Sequence, residues 1–580
     1  STLSGQFSAV HPQLHYEGKL REGAGVSAGS MRLFWRVMAE AYPGLFNGSE
    51  KLNALELTKR MAWVYGGVAD SLGIPPTINS NEKPTDSQSP APKSDEIEDD
   101  YQLPETDEID YEKLIRFPNL SSIAAARFAH DYPQKVRQYW RVLRNLIHTN
   151  LPDCEDSFSK RTRGRPFHVP KTDTQINPTN RKGQNFNGVM FSSKWLADDM
   201  GLSQIPTENQ QPKAIETLRG LVEKAHKDSG FGDGSPADWW AIILADGDSM
   251  GKYVSGAKLK EYKEYIVLDQ VEQESQNVKG FAELLNTTKK RMGPATHVGL
   301  NRALLDFSNR LVPYITEKRF CGKVVYSGGD DVMAVLPLED LPEFLRSLRA
   351  AWCGGTDPHN EFQSQGGYWH PQQPLEGLPN RLHFTMGEGA TMSMGIVIAY
   401  KTIPLPTVLE NLWSAEKERA KKLAGTRKSD TNPPIPAKDG LCFRVIYGGG
   451  NTLEALMKGH LLEAWWQFIQ QYQQTDLSPV LYRLAEELPR RACLTECDRL
   501  FSQAAKVILN RREETLSENT QNALCNWLDE WEHWAFYTQK AAGKNALGTQ
   551  PQDLAMLLRF SAFWVDKMIQ RSQWVKEDKA

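Results

Sequence analysis

The sequence predicts an α+β domain followed by an all-α helical bundle. Residues 237–447 contain short β-branched or apolar runs that alternate with stretches of helical spacing, as in a sheet covered by helices. Residues 448–580 instead show apolar residues three and four positions apart with few turn residues, beginning with a predicted helix from Leu453 to Tyr472. We expect these helices to have a core of their own.

Composition divides the remainder of the chain. Residues 76–115 are rich in Pro, Ser, Asn, Asp and Glu, and they cannot bury enough apolar surface to offset the entropy of ordering. They predict an acidic disordered linker between a region at 1–75 and an intermediate region at 116–236. The intermediate region carries a basic loop around 160–165, which is a candidate contact for nucleic-acid phosphates, with a solvated loop as the alternative. A Gly-, Gln- and Pro-rich stretch, 354–379, predicts a loop inserted in the α+β domain.

Charge and hydropathy exclude several classes of protein. The formal net charge is −4 over 580 residues, and the seven cysteines are scattered without a disulfide framework. No apolar stretch approaches the length of a membrane span, and no signal peptide is visible. We therefore expect a cytoplasmic, multidomain protein without membrane contact.

The most informative motif is Gly328-Gly329-Asp330-Asp331, which lies between two short apolar runs. It predicts a β-hairpin whose tip carries two adjacent carboxylates, because glycines permit the tight turn. Adjacent acids at a strand junction are typical of a Mg²⁺ site for phosphoryl chemistry, since hard cations take oxygen ligands. An ordinary solvated turn is the alternative for the tetrad taken alone.

A second acidic site lies upstream of the hairpin. An apolar run from Ala237 ends in Asp246-Gly247-Asp248 and enters a predicted helix. This pattern predicts a buried strand that delivers Asp246 at its carboxyl end, with Ser249 capping the helix. Two acidic strand ends then become available to one pair of metal ions. Asp248 is a weaker candidate ligand and could instead cap the helix.

A third strand and a charged helix complete the predicted site. The strand-like run 390–399 contains Ser393, and a helix from Leu405 to Leu423 follows it. Lys421 lies near the end of that helix, where a lysine can hold a triphosphate as a point charge. A solvated helix face is the alternative for this run of charges.

These elements carry a resemblance to a known family. The order of the motifs resembles that of palm-type nucleotidyltransferases and cyclases. The motifs are the Asp-Gly-Asp strand end, the Gly-Gly-Asp-Asp hairpin, the Ser-Met-Gly strand and the helix ending in Ala-Lys. More narrowly, the phrases that begin at Leu244, Val324 and Phe117 are similar to those of the large, cyclase-bearing subunit of type III-B CRISPR effector complexes. The resemblance implies a ferredoxin-like palm over residues 237–447.

The resemblance also implies an enzymatic activity. Asp246, Asp330 and Asp331 would hold two Mg²⁺ or Mn²⁺ ions, and ATP would be joined through 3′,5′ links into cyclic oligoadenylates when target RNA is bound. The remaining nucleotide-binding candidates are Ser327, Gly328, Gly329, Asp248, Ser249, Ser393 and Lys421. The implied partners are the other subunits of the complex, guide RNA and target RNA, with small subunits at the C-terminal bundle.

Two other functions remain open. A diguanylate-cyclase-like enzyme would use GTP on a similar palm, but its tetrad normally continues with Glu and Phe, where this chain has Asp331 and Val332. The other alternative is a catalytically silent assembly scaffold of the RNA-guided complex, against which the intact acids argue.

The chain departs from the family in two places. The family's zinc ribbon uses two Cys-x-x-Cys pairs, whereas Ser1, Ser4, Asn53 and Glu56 occupy the matching positions here. Structural zinc sites need thiolates, so we predict no zinc in this region. The family also carries an HD nuclease domain and a first palm ahead of the ribbon. We therefore expect this chain to be a fragment, whose activity on its own is in doubt.

Overall fold

A computed structural model describes residues 117–152, 168–172, 186–199, 211–426, 429–494, 499–510 and 516–576, together with Leu57. Apart from Leu57 and Phe117, all of these belong to one unit, Pro118–Arg161 with His168–Ala580. The four positions of the degenerate zinc ribbon, the acidic linker and the basic loop around 160–165 lie outside the described residues.

Nine strands occur in the described residues. In chain order they are β1 (Trp239–Gly247), β2 (Lys323–Gly328), β3 (Asp331–Pro337), β4 (Phe362–Gln365), β5 (Tyr368–Pro371), β6 (His383–Phe384), β7 (Met392–Tyr400), β8 (Gly440–Ile446) and β9 (Thr452–Lys458). Six of them form a sheet in the order β2-β3-β1-β7-β8-β9, in which only β7 and β8 run parallel. Strands β4, β5 and β6 form a separate antiparallel sheet.

Helices surround the larger sheet. Those of the described residues are α1 (Leu120–Ala124), α2 (Ala126–Asp131), α3 (Pro133–Asn150), α4 (Ser193–Asp199), α5 (Gln211–Asp228), α6 (Met250–Val254), α7 (Gln273–Gln276), α8 (Phe281–Thr287), α9 (Pro294–Asp306), α10 (Leu341–Cys353), α11 (Leu405–Ser414), α12 (Leu462–Ile469), α13 (Ser478–Arg491), α14 (Leu500–Asn510), α15 (Glu518–Ala542) and α16 (Pro551–Lys576). Within this part of the chain, no helix is long and apolar enough to cross a membrane. The α+β architecture with a helical C-terminal region is confirmed.

The C-terminal helices share one core with the sheet. Phe560 of α16 stacks on Phe443 of β8 with ring centroids 4.3 Å apart, and Phe563 meets Trp239 of β1 at 4.9 Å. Buried residues of β1, β3, β7 and β8 belong to the same continuous cluster as those of α12 to α16. The expectation of a separate helical core was therefore wrong, because one face of the sheet needs these helices to cover its apolar side chains.

Two further expectations are corrected by the sheets. The segment Thr452–Lys458 is strand β9 and not the start of a helix. Leu453, Leu456 and Met457 have helical spacing, but in the strand Leu456 and Met457 enter two different apolar clusters on opposite faces of the sheet. The predicted loop 354–379 contains β4 and β5, which pair with each other in register.

The second face of the sheet carries the end of the charged helix. After α11 the chain continues as a π-turn, Ala415–Arg419, and a 3₁₀ turn, Ala420–Lys422. Gly395 of β7 lets this segment lie directly on the sheet, because a Cβ there would be 2.7 Å from the Glu416 backbone nitrogen and 2.8 Å from the Leu412 carbonyl oxygen. Both atoms belong to the backbone, so a side chain at Gly395 would push the segment outward.

We expect Gly395→Ala to lower the free energy of unfolding by about 1–3 kcal/mol, since overpacking against backbone atoms forces the structure to shift. Urea denaturation followed by tryptophan fluorescence measures this change. Gly449→Ala is the matched control, because a Cβ at Gly449 meets nothing within 4 Å, and its effect should stay within about 0.5 kcal/mol. Equal effects of the two substitutions would contradict this packing.

Candidate active site

The register of the sheet brings two aspartates face to face. Ala245 of β1 pairs with Val332 of β3, so the next residues toward the end of the sheet, Asp246 and Asp331, lie opposite each other. On its other side Asp246 pairs with Ser393 of β7. The predicted strand end at Asp246 and the predicted hairpin with Asp331 at the start of β3 are both confirmed.

The hairpin tip folds closely over the end of β1. Gly329 has φ +65°, which suits the tight turn between β2 and β3. A Cβ on Gly247 would lie 2.9 Å from the Asp330 Cβ and 2.6 Å from the Trp352 ring. The absence of a side chain at Gly247 therefore allows Asp330 to approach the end of β1, next to Asp246.

Lys421 supplies positive charge to this group of acids. Its Nζ lies 2.9 Å from Asp246 Oδ1, and it also forms an ion pair with Glu416. Glu416 lies five positions before Lys421, a spacing that would separate the two by about 140° around an α-helix. The π-turn and the 3₁₀ turn change this angle, so that both side chains meet beside the sheet.

The carboxylates repel one another in the absence of a metal. Burial raises the pKa of Asp331 to about 6, helped by its hydrogen bond with Asp246 and by the charges of Asp246 and Asp330. Burial and the neighbouring Asp246 also raise the pKa of Asp330. Burial alone would lower the pKa of Lys421, but the hydrogen bonds to Glu416 and Asp246 outweigh it and raise that pKa. The electrostatic potential of these acids therefore favours the binding of positively charged groups at the site.

Asp248 and Ser393 are buried and bind each other, whereas Asp246, Asp330 and Asp331 are only partly buried. Asp248 is buried and accepts hydrogen bonds from the Ser393 hydroxyl at 2.8 Å, the Thr391 hydroxyl at 2.9 Å and the Asp439 backbone N–H at 2.8 Å. Burial raises its pKa against these bonds. Ser393 is fully buried. This placement favours a supporting role for both residues, and Asp248 does not cap the helix as the sequence allowed.

Three other predicted residues have structural contacts or geometry that the sequence did not predict. Ser249 precedes α6, but it has left-handed backbone geometry and its side chain makes no capping hydrogen bond, so the predicted cap is wrong. Ser327 donates to the Ser308 carbonyl oxygen at 2.9 Å and so ties β2 to the helical segment behind it. A Cβ on Gly328 would meet the Tyr326 hydroxyl at 2.5 Å. Both Ser327 and Gly328 therefore shape the hairpin.

A buried charge network supports the floor of the site. Asp439, whose N–H binds Asp248, pairs with Arg349 at 3.0 Å. Lys458 is fully buried and donates to the carbonyl oxygens of Pro436 and Lys438. Burial lowers the pKa of Lys458 to about 8. Sequence reasoning missed these residues because they come from α10, β9 and the segment before β8, which are far apart in the chain.

The donor set fits a hard divalent cation in its chemistry. Asp246, Asp330 and Asp331 offer only carboxylate oxygens, the ligands that Mg²⁺ and Mn²⁺ prefer. As the side chains stand, no group of three or more His, Cys, Asp or Glu residues in the described ranges is arranged to hold a metal ion. Lys421 instead provides the charge compensation that a cation would supply at Asp246.

The part of the chain that builds this site is similar to a known domain. The family model that describes the second palm domain of Cas10/Cmr2 matches residues 239–429, which include all three acids and Lys421. This stretch of the chain is therefore similar to the second palm domain of Cas10/Cmr2. The match begins at β1 and ends after the 3₁₀ turn that carries Lys421, so the family's palm domain coincides with the elements that build the site.

Two curated Cmr2 subunits are also similar to this chain. The chain is 26% identical over 292 residues to the CRISPR system Cmr subunit Cmr2 of Pyrococcus furiosus, covering 50% of this chain and 26% of that protein. It is 27% identical over 189 residues to the Cmr2 subunit of Saccharolobus solfataricus, covering 31% and 15%. The chain thus spans about a quarter or less of the length of these relatives.

A solved chain of the type III-B Cmr-beta complex bound to cognate target RNA has a similar fold. It aligns with a TM-score of 0.51 at 14% identity, covering 94% of this chain and 55% of that chain. The likeness therefore extends beyond the second palm domain to the C-terminal helices.

We expect one carboxyl group of the metal-free chain to titrate near pH 6, and Asp246→Asn to lower that pKa because it removes the opposing charge. Carboxyl-carbon NMR of aspartate-labelled protein measures it. Since the folded-state pKa of Asp331 is raised, its contribution to stability is lost as pH rises from 3.8 to about 6. An Asp331 pKa that stays the same in Asp246→Asn would contradict the proposed repulsion.

Proposed function

We propose that this chain is the palm-bearing part of the large subunit of a type III-B CRISPR effector complex, and that it synthesises cyclic oligoadenylates from ATP when target RNA is bound. The observation that carries the proposal is the convergence of Asp246, Asp330, Asp331 and Lys421 at one end of a sheet that matches the Cas10/Cmr2 second palm. Acids and a lysine in this arrangement suit a metal–triphosphate substrate.

Each residue would have a distinct part in nucleotidyl transfer. Asp246, Asp330 and Asp331 would hold Mg²⁺ or Mn²⁺, which supplies a lowered pKa for the attacking ribose hydroxyl and charge for the leaving pyrophosphate. Lys421 would bind triphosphate oxygens as a point charge. Gly329, at the turn, leaves open space where a side chain would otherwise stand, so phosphate can approach the hairpin backbone.

The partners that we propose for this chain are inferred from the names of similar proteins. One is named as a subunit of the Cmr system, and the solved neighbour is a Cmr-beta complex bound to target RNA. We infer that this chain assembles in the cytoplasm with other subunits, guide RNA and target RNA, and that its C-terminal helices contact small subunits. We also assign the sheet to the ferredoxin-like palm class, in which a hairpin and a neighbouring strand end present catalytic acids.

The proposal is tested in the assembled complex with the full-length subunit, matching target RNA and ATP. Replacing Asp330 and Asp331 by alanine should reduce synthesis of cyclic oligoadenylate by about 100-fold or more, because the charge that positions metal and triphosphate is lost. Asp233→Ala is the control, since Asp233 is exposed and precedes the sheet. Product is measured by chromatography and mass spectrometry.

The same experiment separates the competing functions. Product from GTP in preference to ATP would favour a diguanylate-cyclase-like enzyme. If the wild-type complex assembles on target RNA but makes no cyclic product from either nucleotide, the chain is a scaffold and the proposal fails. Synthesis that survives the double alanine substitution would also overturn it.

A further inference from the structure

Glu416 is a buried acid whose only ion-pair partner among the described residues is Lys421. It is 1% exposed, and its backbone nitrogen lies against Gly395 of β7. The other charges of the same turn face elsewhere: Arg419 pairs with Glu454 at 3.0 Å, and Lys417 and Glu418 are exposed. A buried carboxylate is unfavourable unless a cation compensates it, so Glu416 depends on Lys421.

Lys421 in turn is shared between two acids that differ in accessibility. The Glu416 side chain is 2% exposed, whereas the Asp246 side chain is 27% exposed and belongs to the site. Glu416 is fixed by its packing against β7, and solvent, ions or substrate can reach Asp246. Lys421 thus has one permanent partner and one partner that can be exchanged.

We propose that Glu416 is a positioning residue that retains Lys421 at the site while Lys421 exchanges Asp246 for substrate phosphate. The inference rests on the proposed function. Lys421 neutralises Asp246 in the structure, and a divalent cation held by the acids would supply that charge instead and leave Lys421 able to bind phosphate. Because the pair with Glu416 persists, the released ammonium remains beside the triphosphate position and does not turn into solvent.

Glu416 therefore also affects how easily the acids accept a cation. Without the Glu416 charge, Asp246 is the one anionic partner left to Lys421 in this ion-pair group. Lys421 then competes more strongly with the metal. Removing Lys421 has the opposite effect, since Asp246 loses its internal counter-ion. The effects on metal binding of substituting Glu416 and of substituting Lys421 should therefore not be additive, because Glu416 acts through Lys421.

The test measures Mn²⁺ binding by electron paramagnetic resonance in the assembled complex without nucleotide. We expect Glu416→Gln to weaken Mn²⁺ binding by about tenfold, the change that one charge-assisted contact gives. Glu418→Gln makes the same change on the exposed side of the same turn and should leave binding unchanged. Lys421→Met should bind Mn²⁺ more tightly than wild type, and adding Glu416→Gln to it should have no further effect.

Other outcomes overturn the anchoring role. If Glu416→Gln leaves Mn²⁺ binding unchanged, as Glu418→Gln should, Glu416 has only a packing role. If it weakens Mn²⁺ binding equally with and without Lys421, it acts as a distant charge and not as an anchor. If the Lys421→Met protein does not fold, the double variant Glu416→Gln with Lys421→Gln is used instead, because it removes both charges of the pair together. Mn²⁺ binding that survives Asp330→Asn with Asp331→Asn would instead refute the metal site, and with it the proposed function.

Discussion

The pairing register between β1 and β3 places two aspartates opposite each other at the end of a buried sheet. Like charges in directly opposed positions of an antiparallel pair destabilise it, and burial makes the repulsion stronger. The rest of the site compensates for this charge. Lys421 lies against Asp246, and Asp331 holds a proton more tightly than an ordinary carboxyl would, whereas Asp330 at the hairpin tip adds a further negative charge.

Close backbone approach makes this compensation possible. Gly247 admits the hairpin tip above the end of β1, and Gly395 admits the π-turn onto β7. The π-turn then aligns Glu416 with Lys421 across five positions. Beneath these contacts, the saturated hydrogen bonds of Asp248 join the strand ends to the segment before β8. The π-helical and 3₁₀ turns thus lie next to the site, and π-helical turns are often found at functional positions.

Much of this arrangement could be predicted from the sequence. The apolar strands, the hairpin and the presence of Asp246 at a strand end follow from short continuous apolar runs and turn residues, which act locally. Three features could not be predicted. Leu453, Leu456 and Met457 have helical spacing in a strand whose two faces are both buried, the five-residue spacing of Glu416 and Lys421 fits no α-helix, and Arg349 reaches Asp439 only through tertiary folding.

We propose that the three acids and Lys421 form one electrostatic unit that accepts a metal–triphosphate. A structure of the assembled complex with Mn²⁺ and a non-hydrolysable ATP analogue tests it most directly. We expect metal density against Asp246, Asp330 and Asp331, with the Lys421 ammonium moved from Asp246 to phosphate oxygens and still paired with Glu416. A bound analogue that leaves the pair between Lys421 and Asp246 intact, with metal elsewhere, would contradict it.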